Sequence, residues 1–357
     1  MELSVIYIFL TNLAILIGLF AIISLSLNLE YGYAGIPNFG KLLAVAGGAY
    51  FVGALSGRAL AIACGQPAGL GYIERNIEVV GFLNGVLSSS PLHSIVFLIM
   101  SIVGAAFFGG LLGYVSSYPA IRLRGDYLAI TLLAMGEILW VIGDNWQPLI
   151  GGSMGVRIPD PFRWVGGQYR PLAILLTVLI TAAIVFIYLE YLGRAPLGRV
   201  LKAIRENELS AGVHGKDVVR LRTKTLIVGF AIAAISGALN SLWTVSVSPK
   251  DFERVRHTFM PWVMVMIGGA GNNLGAVIGA MIFVTLRELI VFYKHFFEAI
   301  VPFDVIWLEY LFLGLALIIV LMYRPEGLLP EKPTKTLSAK KLKAIASRVE
   351  PAKEKAT

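Results

Sequence analysis

A chain of 357 residues that is 57% hydrophobic and 15% charged, with a mean hydropathy of +0.76, is too apolar for a soluble domain, which carries about 45–50% apolar and about 25% charged residues. Its apolar residues fall in long blocks near the roughly 17–25 residues that a helix needs to cross a bilayer, which excludes one or two soluble domains. The net charge of +8 is gathered in two basic segments, and the single Cys64 excludes an internal disulfide. An all-α, polytopic membrane protein of about 8–10 transmembrane or re-entrant helices is expected.

Taken in order, the first block, Val5–Leu27, follows Met1-Glu2-Leu3-Ser4 with no basic start and is too long for the h-region of a signal peptide, so a retained span is expected. The stretch NLEYGYAGIPNFG, from Asn28 to Gly40, then interrupts the apolar pattern. Pro37 and three glycines argue against a continuous helix there, and Asn38 is placed to line a route or to satisfy broken backbone. Leu42–Ala63, His93–Val115 and Tyr127–Ile142 follow. Glu137 lies inside the last of these, where a carboxylate is costly in lipid and should face protein or a water-filled cavity. Its role is either in the translocation pathway or in a hydrogen bond between helices.

Leu172–Leu189 leads into a segment, residues 193–224, that carries Arg194, Arg199, Lys202, Arg205, Lys216, Arg220, Arg222 and Lys224. Basic residues concentrate in cytoplasmic segments, so this loop and the Lys-rich tail beyond Arg324 are both expected to face the cytoplasm. Topology accounts for that charge without nucleic acid. Within the loop, PLGRVLKAIR opens with Pro196 near a helix start and puts Leu197, Val200, Leu201 and Ile204 on one face. A second piece, Glu206–Gly215, ends on a glycine suited to a helix stop. The pattern fits an interfacial helix on anionic lipid or a docking surface for a soluble partner.

Working backward from this loop, residues 145–170 and 65–92 are expected outside, with the side of the N-terminus left open. Working forward creates a parity problem. Leu226–Val247, Pro261–Tyr293 and Leu308–Tyr323 would carry the tail to the opposite face if each crossed once. The middle block is longer than one span requires and holds GGAGNNLGAVIGA, residues 268–280. Parity is restored if Pro261–Gly268 enters as a half-helix and Leu274–Tyr293 returns to the same side, with Asn272 and Asn273 at the break. The alternative is one long tilted helix with an unrecognised crossing elsewhere. Gly271, Gly275 and Gly279 are four apart and would form one close-packing helix ridge if the helix starts near Gly271. A phosphate cradle is excluded, because neither the Lys-Ser/Thr of a P-loop nor the dinucleotide glycine spacing is present.

Catalytic patterns are missing as well: no Walker A sequence, HExxH pair, GxSxG elbow or redox Cys pair occurs. His93, His214, His257 and His295 have no ligand spacing and are expected at the surface. Neither an enzyme, nor a metal site, nor a cofactor is expected. Arg287 and Glu288 read as a local pair. A membrane domain over residues 1–330 is followed by a basic tail, 331–357, whose Lys, Ala and Pro content suits frayed surface.

The stretch RAPLGRVLKAIRENELSAGVHGKDVVRLRTKTLIVGFAIAAISGAL, from Arg194 to Leu239, resembles the cytoplasmic loop and following helix of branched-chain amino acid ABC importer permeases of the LivM type. Pro196, Gly198, Arg199, Ala203, Ile204, Arg205, Glu206, Glu208, Ala211 and Gly215 match the pattern, while Leu209-Ser210 and Val213-His214 depart from it. RLRGDYLAITLLAMGEIL, SPKDF, GGAGNNLGAVIGA and YRPEGLL resemble further family segments. GGSMGV resembles a TGGxxG loop with Ile150 in place of Thr, and Lys41 stands where His is common in a GYAG pattern. The likeness runs from about residue 25 to 330.

The resemblance implies the ABC-importer permease fold and a pore-forming subunit that moves small polar solutes, branched-chain amino acids first, across a prokaryotic plasma membrane. It implies four kinds of company: the lipid bilayer, a second homologous permease, two cytoplasmic ATPases and an extracytoplasmic solute-binding protein. The matched residues of the 196–215 stretch would couple to the ATPase. Gly151, Gly152 and Ser153 would shape an external loop or constriction. Two alternatives stay open: a secondary transporter of amino acids, and an ABC permease for urea or short amides.

Overall fold

The computed structural model describes residues 2–123, 125–294 and 305–331. Helix α1 (Glu2–Leu27) ends in a π-helical turn, Asn28–Tyr33, and α2 (Lys41–Phe51) continues through a second such turn into Gly57–Ala63. Next come α3 (Pro91–Arg122), α4 (Gly125–Asn145) and α5 (Arg170–Arg194). Two short helices, α6 (Pro196–Glu206) and α7 (Glu208–Val213), lead to α8 (Val218–Thr244). A third π-helical turn, Val255–Phe259, runs into α9 (Met260–Gly268), and α10 (Asn273–Phe292) and α11 (Val305–Tyr323) complete the bundle. Seven described helices are long and apolar enough to cross a membrane; α9 and α11 bring the set within the expected range.

Burial separates a centre from a periphery. The most apolar windows of α2 and α8 are each 72% buried, against 17% for α4 and 22% for α5. Glycine explains how α2 and α8 come so close. A Cβ on Gly237 would overlap the Val45 carbonyl oxygen, and one on Gly48 would overlap that of Ala234. Gly109 and Gly113 of α3 meet the Phe230 and Leu226 carbonyls of α8 in the same way. Between apolar helices in lipid, such backbone approach and its dispersion contacts are the main source of association. Large apolar side chains on the peripheral helices, among them Phe107, Ile130 and Ile187, stay exposed and suit lipid or a neighbouring subunit.

α8 has 27 residues and so rises about 40 Å, which defines two ends of the bundle. At one end lie α6, α7, the turn after α1 and the loop between α9 and α10. At the other, Val156 and Arg157 pair antiparallel with Val247 and Ser246. Helix Asn76–Ser89, in a segment expected only to be external, buries Val79, Val80, Leu83 and Leu87 at that second end.

The middle block is not one long helix. Gly269 and Gly271 adopt φ of +110° and +82°, a region that L side chains rarely enter, and the chain reverses there. α9 and α10 pack as an antiparallel pair in which Gly268 faces Gly275 and Met264 faces Gly279. Helix α10 starts at Asn273, so Gly271 stands in the turn and not on the helix ridge; Gly268 of α9 supplies the third close contact beside Gly275 and Gly279. Lys202 and Glu331 are 2.7 Å apart, so the loop and the start of the tail share one end, as parity requires. From residue 332 the expected tail lies outside the described residues.

Candidate coupling and translocation site

α6 is amphipathic, and its register is set by Gly198. A Cβ at this position would crowd the Leu192 carbonyl oxygen in the last turn of α5, so only glycine lets α6 lie against that turn. Gly198, Leu201 and Ile204 are buried, while Leu197, expected on the same face, is 42% exposed because the Gly198 contact rotates it outward. Asn207 caps α7 by accepting from the Ser210 amide at 2.9 Å, and Gly215 stops it with φ +75°. Between α6 and α7 opens a groove of about 390 Å³ lined by Arg199, Ala203, Glu206, Asn207, Ala211 and His214. Pro196 begins the helix, and Glu208 sits 3.3 Å from Arg222.

The inner side of α6 is different. Arg205 turns inward, donating to the Gly32 carbonyl and to Glu331 Oε2 at 2.6 Å. Lys202 meets Glu331 Oε1 at 2.7 Å and lies 5.2 Å from the centre of the Tyr33 ring. Burial pushes the Glu331 carboxyl up, but hydrogen bonds from Lys202 and Arg205, with their charges, outweigh that and hold it below the usual carboxylate range.

The two interruptions read from the sequence touch each other here. Asn28 Oδ1 accepts from the Gly271 amide at 2.8 Å, and Asn28 Nδ2 donates to Asn273 Oδ1 at 3.0 Å. Asn273 Nδ2 donates in turn to Glu190 at 3.2 Å. Asn272 caps α10 by accepting from Leu274 N at 3.1 Å, and its amide group donates to the Pro330 carbonyl at 3.2 Å. The segment after α11 covers the second break: Leu328 N donates to Ile267 O at 2.8 Å and Leu329 N to Gly268 O at 2.9 Å. These bonds satisfy backbone groups that the broken helices leave open.

Deeper in the first break is a charge pair with no solvent exposure. Lys41 Nζ lies 2.6 Å from Glu30 Oε2, and Asn38 Nδ2 donates to that same oxygen at 2.7 Å. Lys41 also donates to Ser26 Oγ at 2.6 Å, and Ser26 passes a bond to the Gly229 carbonyl on α8. The Lys41 ammonium lies 5.7 Å from the centre of the Phe230 ring. Asn38 is therefore a strut within the break, and its carbonyl accepts from Trp262 Nε1 of α9 at 3.1 Å. Thr258 accepts from the Leu42 amide at 3.1 Å. Glu30 is not singled out in the sequence, and Lys41 stands out there only as a departure from the GYAG pattern. The signal was present, since Glu2, Glu30 and Lys41 are the only charged residues before Arg58.

Other expected site residues lie elsewhere. Glu137, on α4, is 34% exposed and stands 3.7 Å from Arg254. Gly151, Gly152 and Ser153 form a tight turn at the end away from α6, where a Cβ on Gly151 would overlap the Gly155 carbonyl. His93 and His214 are exposed, but His257 is buried, with Phe252 and Phe20 at ring-centre distances of 5.2 and 6.4 Å. His295 lies outside the described residues. Arg287 and Glu288 pair at 2.8 Å.

Residues 9–321 match the family model described as the permease component of the branched-chain amino acid transport system. The chain is 40% identical over 326 residues, 91% of its length and 94% of the relative's, to a probable branched-chain amino acid transport permease protein LivM of Methanocaldococcus jannaschii. The high-affinity branched-chain amino acid transport system permease protein LivM of Salmonella typhimurium is 27% identical over 61% of the chain and 54% of its own length. LivH of that organism is 22% identical over 87% of the chain and 91% of its own. No solved structure matches.

Proposed function

This chain belongs to the family of branched-chain amino acid transport permease components, and we propose that it is a pore-forming subunit of an ATP-binding cassette importer that carries branched-chain amino acids inward. It pairs with a second, related permease and receives solute from an extracytoplasmic binding protein. Two cytoplasmic ATPases drive it. The α6 end faces the cytoplasm, in keeping with its basic residues and those of the tail. The chain itself carries no nucleotide-binding motif.

One observation carries this reading. α6 offers an open groove on its outer side, while Arg205 on its inner side reaches the broken backbone of the bundle. A helix built that way converts motion of an attached subunit into motion of the membrane core. Arg199, Ala203 and Glu206 form the outward docking face, and Gly198 sets its angle against α5. The second break, with Asn272 and Asn273, marks the part of the bundle that rearranges as the route opens, and the first, with Asn38, is the hinge it moves against. Glu137 and the Gly151–Ser153 turn border the route nearer the external end.

Purification with its partners tests this reading. An ATPase should co-purify with the chain, and vesicles holding the complex should accumulate labelled leucine only with ATP inside reach of α6. Glu206→Lys should lower that uptake about tenfold, the effect of roughly 1.4 kcal/mol of docking free energy. Leucine uptake driven by an ion gradient without any ATPase would support a secondary transporter instead, and uptake of urea in preference to leucine would change the substrate class.

A further inference from the structure

Glu331 is the last described residue and lies beyond the last helix, in a part of the sequence that reads as the beginning of a solvated tail. Its position contradicts a passive role. One carboxylate oxygen receives Lys202 and the other Arg205, both from α6, at 2.7 and 2.6 Å. The three residues immediately before it are tied to the second break: Leu328 and Leu329 donate to the Ile267 and Gly268 carbonyls, and the Leu329 and Pro330 carbonyls accept from Asn272. Gly327 is drawn in so tightly that a Cβ there would overlap the Gly269 Cα. Arg205, while holding Glu331, also holds the Gly32 carbonyl of the first break.

We infer that the strap from Arg324 to Glu331 is a transmission element: it fastens α6 to the loop between α9 and α10, and Glu331 is the positioning residue that makes the joint. Three considerations support it. First, α6 has no backbone hydrogen bond to that loop among those described, and a Cβ on Gly271 would meet the Glu331 carboxyl at 3.0 Å and Arg205 Nη1 at 3.2 Å, so a displacement of α6 reaches Gly268–Asn272 through Arg205 and the Glu331 carboxylate that it and Lys202 hold. Second, the joint is ionic and partly exposed, with side-chain exposures of 15, 25 and 27% for Lys202, Arg205 and Glu331. A pair of that kind can be released and re-formed at modest cost, unlike the sealed Glu30–Lys41 pair. Third, Arg205 divides its donors between Glu331 and Gly32, so one side chain addresses both breaks. Moving it changes the support of each at the same time.

The inference rests on α6 being the helix that receives the ATPase. Its test uses the whole importer (both permeases, the ATPases and the binding protein) in vesicles, and reads leucine moved per ATP hydrolysed. Glu331→Gln should reduce that ratio at least about fivefold, the lower end of an ordinary coupling energy, while the subunits still co-purify and ATP is still hydrolysed. Glu331→Asp should restore most of it. Arg205→Gln combined with Glu331→Gln should be no worse than the poorer single variant, because the two act through one joint. If Glu331→Gln fails to assemble, Lys202→Gln, which leaves the Arg205 contact in place, gives the same readout with a smaller loss. A wild-type ratio in Glu331→Gln, or a loss that merely tracks the amount of assembled complex, overturns the inference and leaves the docking role of α6 standing. Absence of any ATPase on the wild-type chain overturns both.

Discussion

The two breaks solve the same problem by opposite means. In the first, Asn28–Gly40, the chain leaves its helix and the space is filled by side chains, with Glu30, Lys41, Asn38 and Ser26 bonded to one another away from solvent. In the second, Gly268–Asn272, there is almost nothing but backbone. Glycines allow positive φ and close approach, and the strap after α11 supplies the missing hydrogen-bond donors. The first break is therefore held by charge that cannot be exposed cheaply, whereas the second is held by backbone bonds to a strap whose own joint to α6 is ionic and partly exposed. In the proposed transport cycle the first break is the fixed hinge and the second the one that yields.

The comparison can be broken from either side. Lys41→Met should have the largest effect: it strands the Glu30 carboxylate in the core, at a cost of about 3–5 kcal/mol, read as a lowered unfolding midpoint of the purified protein in detergent. Adding Glu30→Gln to it should recover a substantial part, since the stranded charge is then gone. A smaller loss is expected in and beside the second break. Gly279→Ala drives a methyl group into the Met264 carbonyl and should cost about 1–3 kcal/mol by overpacking. Gly81→Ala, inside helix Asn76–Ser89 where nothing lies within 4 Å, should raise the midpoint slightly, by up to about 1 kcal/mol of helix propensity. Asn272→Ala removes the cap of α10 and should cost about 1 kcal/mol. If Asn272→Ala proved as damaging as Lys41→Met, the contrast between a fixed and a yielding break would be lost.

Much of this architecture is legible in the sequence because bilayer physics is a strong filter. The length of Pro261–Tyr293, with glycines and two asparagines inside it, was enough to expect a break, and Pro196 with apolar residues at helical spacing was enough to expect α6. What stayed hidden was pairing across long separations. Asn28 and Gly271 are 243 residues apart and nothing local in either predicts the other. Glu30 and Lys41 are separated by a turn whose path periodicity does not describe, so their meeting could not be read. Leu197 leaves the expected face for a local reason: helical spacing does not register which residue can sit against the α5 carbonyls, and Gly198 alone can. Composition groups Glu331 with the lysines that follow it and carries no sign of its contacts with Lys202 and Arg205.

Everything turns on whether the two ends of the bundle lie on opposite faces of the membrane, with α6 and both breaks on the face where ATP is consumed. The most direct measurement is sidedness of labelling in sealed vesicles of the assembled importer, on a Cys64→Ser background. Val213→Cys, on α7 and 86% exposed, and Met154→Cys, in the far turn and 96% exposed, provide the two markers. The account predicts that an impermeant thiol reagent reaches Val213→Cys only from the ATPase face and Met154→Cys only from the other. Labelling of both from one face would contradict it.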